Sequence, residues 1–131
     1  MIFNGIYKTK IELKNVTITA ENLKQLIEKL TEQEMDYNLE VEFLDGDSLT
    51  NIKLDKLLDF QYKTKQIKEL QLRANGKNVS VWLHVHTDDS WSWLNMDSMD
   101  NAQFYKVKTI LQDWVKSIQN ENKLSYLQLT F

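Results

Sequence analysis

Residues 67–93 read IKELQLRANGKNVSVWLHVHTDDSWSW, and this stretch decides the fold. An Asn-Gly pair, Asn75-Gly76, sits between two runs of alternating apolar and polar residues. That arrangement predicts a β-hairpin with a two-residue turn, because Asn and Gly both tolerate the positive φ of a type I′ turn. Val79, Val81, Leu83 and Val85 then point to one side of the second strand, and Ser80, Trp82, His84 and His86 to the other. With that turn Leu72 faces Val79 and Leu70 faces Val81. On the opposite side Ile67 faces His84, Glu69 faces Trp82 and Gln71 faces Ser80. A one-residue slip would bury Glu69 and expose the leucines, so the pattern is expected to fix this register. Asp88-Asp89 breaks the strand, and residues 90–94 are expected to return as a short one, with Trp91 and Trp93 on a shared face.

Outward from the hairpin, the same two periodicities recur. Tyr37, Leu39, Val41 and Phe43 alternate with Asn38, Glu40 and Glu42, a strand with one buried face. Asp45-Gly46 closes a second hairpin, placing Phe43 opposite Ser48, Val41 opposite Thr50 and Leu39 opposite Ile52. Earlier in the chain, residues 6–13 alternate as a strand, and residues 15–18 extend it beyond a kink. Leu23, Leu26, Ile27 and Leu30 follow at helical spacing, with Thr19 as N-cap, which predicts a helix over 20–32. Phe104, Val107, Leu111, Trp114 and Ile118, broadened by Ile110 and Val115, form the stripe of a second long helix capped by Asp97 or Asp100. A short helix is expected over 55–60 and a final strand over 124–131.

Hairpins outnumber β-α-β alternation, so the expected fold is α+β. Its form is a two-layer sandwich: a mostly antiparallel sheet of hairpins, with two amphipathic helices and one short helix covering one face. Residues 1–131 read as a single domain, since three glycines and no proline leave no evident linker. The open face then carries Trp82, His84, His86 and Glu69, joined by Glu40 and Glu42 from the neighbouring hairpin.

Composition narrows the function classes. The absence of cysteine excludes a disulfide scaffold, a thiol nucleophile and a thiolate metal site. A net charge of −3 argues against nucleic acid, which needs a basic patch. No apolar run is long enough to span a membrane and the N-terminus lacks a secretory pattern, so a cytoplasmic address is the expectation. Seven acids and no base lie between Lys29 and Lys53, a charge run suited to a basic partner. Asp45-Gly46-Asp47-Ser48 begins like a calcium loop, but Leu49 stands where the next ligand belongs. Nucleotide-binding and nucleophile-elbow signatures are missing, and His86, Asp88 and Ser90 lie too close along one strand for triad geometry. No catalytic residue and no cofactor is therefore assigned.

Three readings follow from these residues. The first is a small acidic non-enzymatic module that works by protein–protein contact through Trp82, His84, His86, Glu69, Glu40 and Glu42. Its concrete form is an inhibitor of a basic partner, similar to bacterial immunity proteins in size and charge class alone; the Asn- and Lys-rich composition suits a low-GC bacterium. The second is a small-ligand or metal site around His84, His86 and Trp82, since imidazoles at i, i+2 on a strand point together and a carboxylate could complete the ligand set. The third is a homodimer or other homo-oligomer with Trp82 at a two-fold interface.

Overall fold

A computed structural model describes residues 6–14, 16–62, 65–87, 92–119 and 127–130, the last four by backbone alone. Strands β1 (Tyr7–Glu12), β3 (Asp36–Phe43), β4 (Ser48–Ile52), β5 (Ile67–Asn75), β6 (Val79–His86) and β7 (Trp93–Ser98) form one sheet in the order β1-β7-β6-β5-β3-β4. Every pairing in it is antiparallel. Strand β2 (Val16–Thr19) is not an extension of β1 but pairs in parallel with β8 (Leu127–Thr130) as a separate two-stranded sheet. The long helices are α1 (Ala20–Glu32) and α3 (Asn101–Ile118). Helix α2 (Leu54–Leu57), with a 3-10 turn at Phe60–Tyr62, takes the place of the expected helix over 55–60. The architecture is α+β, helices packed against an antiparallel sheet.

One face of the sheet supplies the core. Leu39, Val41, Phe43, Leu70, Leu72, Val81, Leu83, Val85 and Leu94 are all 0–1% exposed, beneath Leu23, Leu26, Leu30, Val107 and Leu111 of the helices. Helix α1 starts where expected: Thr19 Oγ1 accepts from the Asn22 amide at 3.1 Å, and Asn22 Oδ1 accepts from the Thr19 amide at 2.8 Å. This reciprocal capping box satisfies two amides the helix cannot. Asp100, not Asp97, caps α3, accepting from Ala102 and Gln103. Trp114 is core, as its place on the stripe implies, and its indole N–H donates to the Asn22 carbonyl at 2.7 Å, pinning α3 to the start of α1.

The central hairpin exists, but its turn lies two residues further on. The Gly76 amide donates to the Val79 carbonyl at 2.8 Å, which puts Lys77-Asn78 at the tip. Each pairing slides by four residues, so Glu69 faces His86 rather than Trp82, and Gln71 faces His84 rather than Ser80. An even slide keeps every side chain on its face, which is why the division into core and open sides survives. Gly76 itself sits in close surroundings: a Cβ there would lie 3.1 Å from the Val79 side chain and 3.2 Å from that of Met35. The close packing thus falls at Gly76, one position before the tip.

Bulges account for the other differences. The Asp45-Gly46 loop has three residues, with Phe43 accepting from the Gly46 amide and donating to Asp47. Gly46 sits at φ +94°, the left-handed position such loops demand. Val41 consequently faces Leu49 instead of Thr50, and a further irregularity beside Asn51, at φ +56°, restores the expected pairing of Leu39 with Ile52. A bulge between β3 and β5 turns Ile67 against Phe43 and the core, removing it from the open face. Strand β7 runs over Trp93–Ser98 instead of 90–94, so Asp97 is a strand residue. Residues 88–91 (with Asp88, Asp89 and Trp91), 120–126 and 131 lie outside the described residues, so of the expected strand over 124–131 only Leu127–Thr130 is described.

Candidate functional site

The open face is a grid fixed by strand register. One row across it holds Glu12, Trp93, His84, Gln71 and Glu40, and the next Lys10, Asn95, Trp82, Arg73 and Asn38. On the other side of the first row stand His86, Glu69 and Glu42. Trp82, His84, His86, Glu69, Glu40 and Glu42 share this face, whereas Ile67, also expected there, does not. They are not all in contact: Trp82, His84, His86 and Glu69 form one connected cluster, while Glu42 and Glu40 stand beside Glu69 and Gln71 on the adjoining strand β3.

Glu69 is the hub. Its Oε1 lies 2.7 Å from His84 Nε2 and 2.8 Å from Gln71 Nε2, and its Oε2 lies 3.4 Å from His86 Nε2. Side-chain exposure is 20% for each histidine and 21% for Glu69, so these polar groups meet largely out of water. Burial alone would push the Glu69 carboxyl up. Hydrogen bonds from His84 and Gln71, with the charge of both histidines, together outweigh it and hold the carboxyl below its ordinary value. The His86 backbone is held by Ser92, whose hydroxyl oxygen accepts from the His86 amide at 2.9 Å. Among the described residues, buried His84 Nδ1 has no hydrogen-bond partner.

An aromatic platform adjoins this hub. Trp82 meets Trp93 edge-on, with ring centroids 4.6 Å apart, and Trp93 meets His84 at 5.1 Å. The Arg73 guanidinium lies 4.3 Å from the Trp82 ring centre. Gln71 Oε1 accepts from the Trp82 indole N–H at 3.0 Å, so a polar chain runs from Trp82 through Gln71 to Glu69. Trp82 remains 36% exposed. Lys8, Lys10, Arg73, Trp82, Asn95 and Asp97 border a hollow of about 610 Å³ on the same face.

Charge on the face is divided. Lys8, Lys10 and Arg73 line the hollow and outnumber Asp97 there, while Glu40 and Glu42 occupy the far side. Part of the acidic run read from the sequence is engaged within the chain: Asp36 pairs with Lys53 at 2.9 Å, and Lys65 bridges Asp45 and Asp47. The sequence reading missed Arg73 and Gln71 as members of the site. Their alternation with Leu70 and Leu72 was the available signal, since it places both on the tryptophan's face.

Fold and site together define a two-layer α+β protein whose second sheet face, uncovered among the described residues, bears histidine, tryptophan and glutamate. No family model, curated protein or solved structure matches the chain. Among the described residues, no helix is long and apolar enough to cross a membrane.

Proposed function

We propose that the chain is a non-enzymatic binding module that engages a partner protein through the open face of its sheet. The observation that carries this reading is the presentation of Trp82. Its ring is exposed, yet it is fixed from three sides by Arg73, Trp93 and Gln71. Tryptophan and arginine dominate binding hot spots because a rigid aromatic surface loses little entropy when it is covered. Here the two already stack at the middle of an uncovered surface.

Charge orients the partner. Its basic groups lie over Glu40 and Glu42 on β3, away from Lys8 and Lys10 on β1. Inhibition of a basic toxin by an immunity-type protein is one form of such contact, supported by the net charge of −3.

The test compares quantitative affinity capture by the wild type, Trp82→Ala, Glu40→Lys/Glu42→Lys and a control, Glu28→Lys, on exposed helix α1 surface. The same captured proteins should be depleted in the first two variants and retained by the control, with all four chains equally folded. Retention of every captured protein by both open-face variants would overturn the reading. Sedimentation of the wild type reveals whether the partner is instead a second copy of the chain.

A further inference from the structure

We infer that Glu69, His84 and His86 form a binding site for one divalent first-row transition ion, with zinc the best match. The proposal goes beyond the protein-contact reading and does not depend on it. Each of the three side chains offers a ligand atom, and the three atoms lie within 4.8 Å of one another. Two neutral imidazoles and one carboxylate are the donor set of open zinc sites, and also of facial-triad iron sites. A tetrahedral ion with bonds of about 2.1 Å requires its ligands about 3.4 Å apart. His86 Nε2 and Glu69 Oε2 are already at 3.4 Å. His84 Nε2 and Glu69 Oε1, now 2.7 Å apart, would separate by side-chain rotation to admit the ion between them.

Two features distinguish this cluster from three polar residues that happen to be neighbours. The ligands come from paired strands, with His86 directly opposite Glu69, so the backbone fixes their separation. Their orientation is also supported: Gln71 holds Glu69, itself anchored by the Trp82 indole, and Ser92 clamps the His86 backbone. Trp93 packs against the His84 ring and limits its rotation. The missing element is a hydrogen-bond acceptor for His84 Nδ1. Loss of such a contact lowers metal affinity by about 10–100-fold, so the site is expected to bind reversibly rather than to trap its ion. Three protein ligands leave at least one coordination position for water or an incoming donor atom.

Protein without a histidine tag is stripped with chelator and titrated with zinc chloride by calorimetry, with magnesium chloride as the hard-ion control. The expected result is one zinc per chain, a zinc-dependent rise in Tm and no magnesium binding. Glu69→Gln, His84→Gln and His86→Gln should each abolish the high-affinity event. Gln71→Ala should keep the stoichiometry and weaken affinity by about 10–100-fold, as expected of a positioning residue. Cobalt(II) substitution should give the visible bands of a low-coordinate N/O site, lost in His86→Gln. Absence of saturable zinc binding by the wild type would overturn the proposal, as would equal binding by the three ligand variants. Wild-type binding is measured on the intact chain, so the outcome stands even where a variant folds poorly.

Discussion

Lys65 stands between two carboxylates, 2.8 Å from Asp45 and close to Asp47, and this contact fastens the β3–β4 loop to the segment before β5. The hydrogen bond from Lys65, followed by the Asp47 amide, lowers the Asp45 pKa, and hydrogen bonds to Asp45 and Asp47 raise that of Lys65. The signs define a window. A depressed carboxylate contributes stability above its unfolded value, about 3.9, which is lost as pH falls through the folded value. A raised ammonium contributes below its unfolded value, about 10.4, and loses that contribution as pH rises through the folded value. The Tm difference between wild type and Lys65→Met should therefore be small but steady near neutrality and fade at both extremes. The Asp45 carboxyl, followed by NMR, should titrate at higher pH in Lys65→Met; an unchanged midpoint would show that the contact is not formed in solution. At this scale the sequence displayed the acidic run but not its pairing, because Lys65 lies 18–20 positions away from its partners. The hub at Glu69 was hidden differently. The Asn-Gly pair predicts the tip by its conformational freedom, whereas Gly76 stands one position before the tip, packed close to Met35 and Val79. The resulting slide exchanged Trp82 for His86 as the neighbour of Glu69.

Helix α1 shows how far an element can be read from its own residues. Its apolar stripe, its Thr19 cap and both of its bounds follow from spacing and side-chain chemistry, because every relevant contact is local. Its C-terminal arrest also depends on backbone shape. Glu34 adopts φ +60°, with its amide donating to Thr31 and the Met35 amide to Leu30, so the chain turns back in a Schellman motif. Glycine ordinarily fills that left-handed position, and nothing about glutamate announces it. The two ends should respond in opposite directions. Thr19→Ala removes an N-cap acceptor and should cost roughly 1 kcal/mol. Glu34→Gly relieves a left-handed penalty of about 1–2 kcal/mol, partly offset by greater freedom in the unfolded chain, for a net gain of about 0.5–1 kcal/mol. Urea denaturation of both variants checks the pair; destabilisation by Glu34→Gly would argue against the Schellman geometry. Elements held by distant contacts were harder to read. The alternation of Leu94, Met96 and Ser98 was masked by aspartates that serve equally well as helix caps, and β2 has its partner at the far end of the chain.

For the whole molecule, the decisive property is that one sheet has two faces with different consequences. The alternation in β6 made this legible from the start, and the slide of its hairpin left it intact because four is an even number. Trp82 and Leu83 are adjacent in the chain yet belong to different environments. Leu83 is 0% exposed within the cluster that joins the sheet to the helices, whereas Trp82 is 36% exposed on the uncovered side. Leu83→Ala should therefore leave a cavity in close-packed surroundings and cost about 2–5 kcal/mol. Trp82→Ala removes a larger side chain but opens no internal void. It loses the Arg73 stacking and the edge contact with Trp93, interactions worth about 0.5–1.5 kcal/mol each at such sites, and water can solvate what remains. The smaller residue should thus be the costlier truncation. Equilibrium denaturation of the two variants, with amide exchange across β5 and β7, measures the contrast. Global loss of protection should follow Leu83→Ala, and only local loss should follow Trp82→Ala. If the tryptophan variant proved the less stable of the two, Trp82 would belong to the structural framework, and the open face would lose the residue on which its role in binding depends.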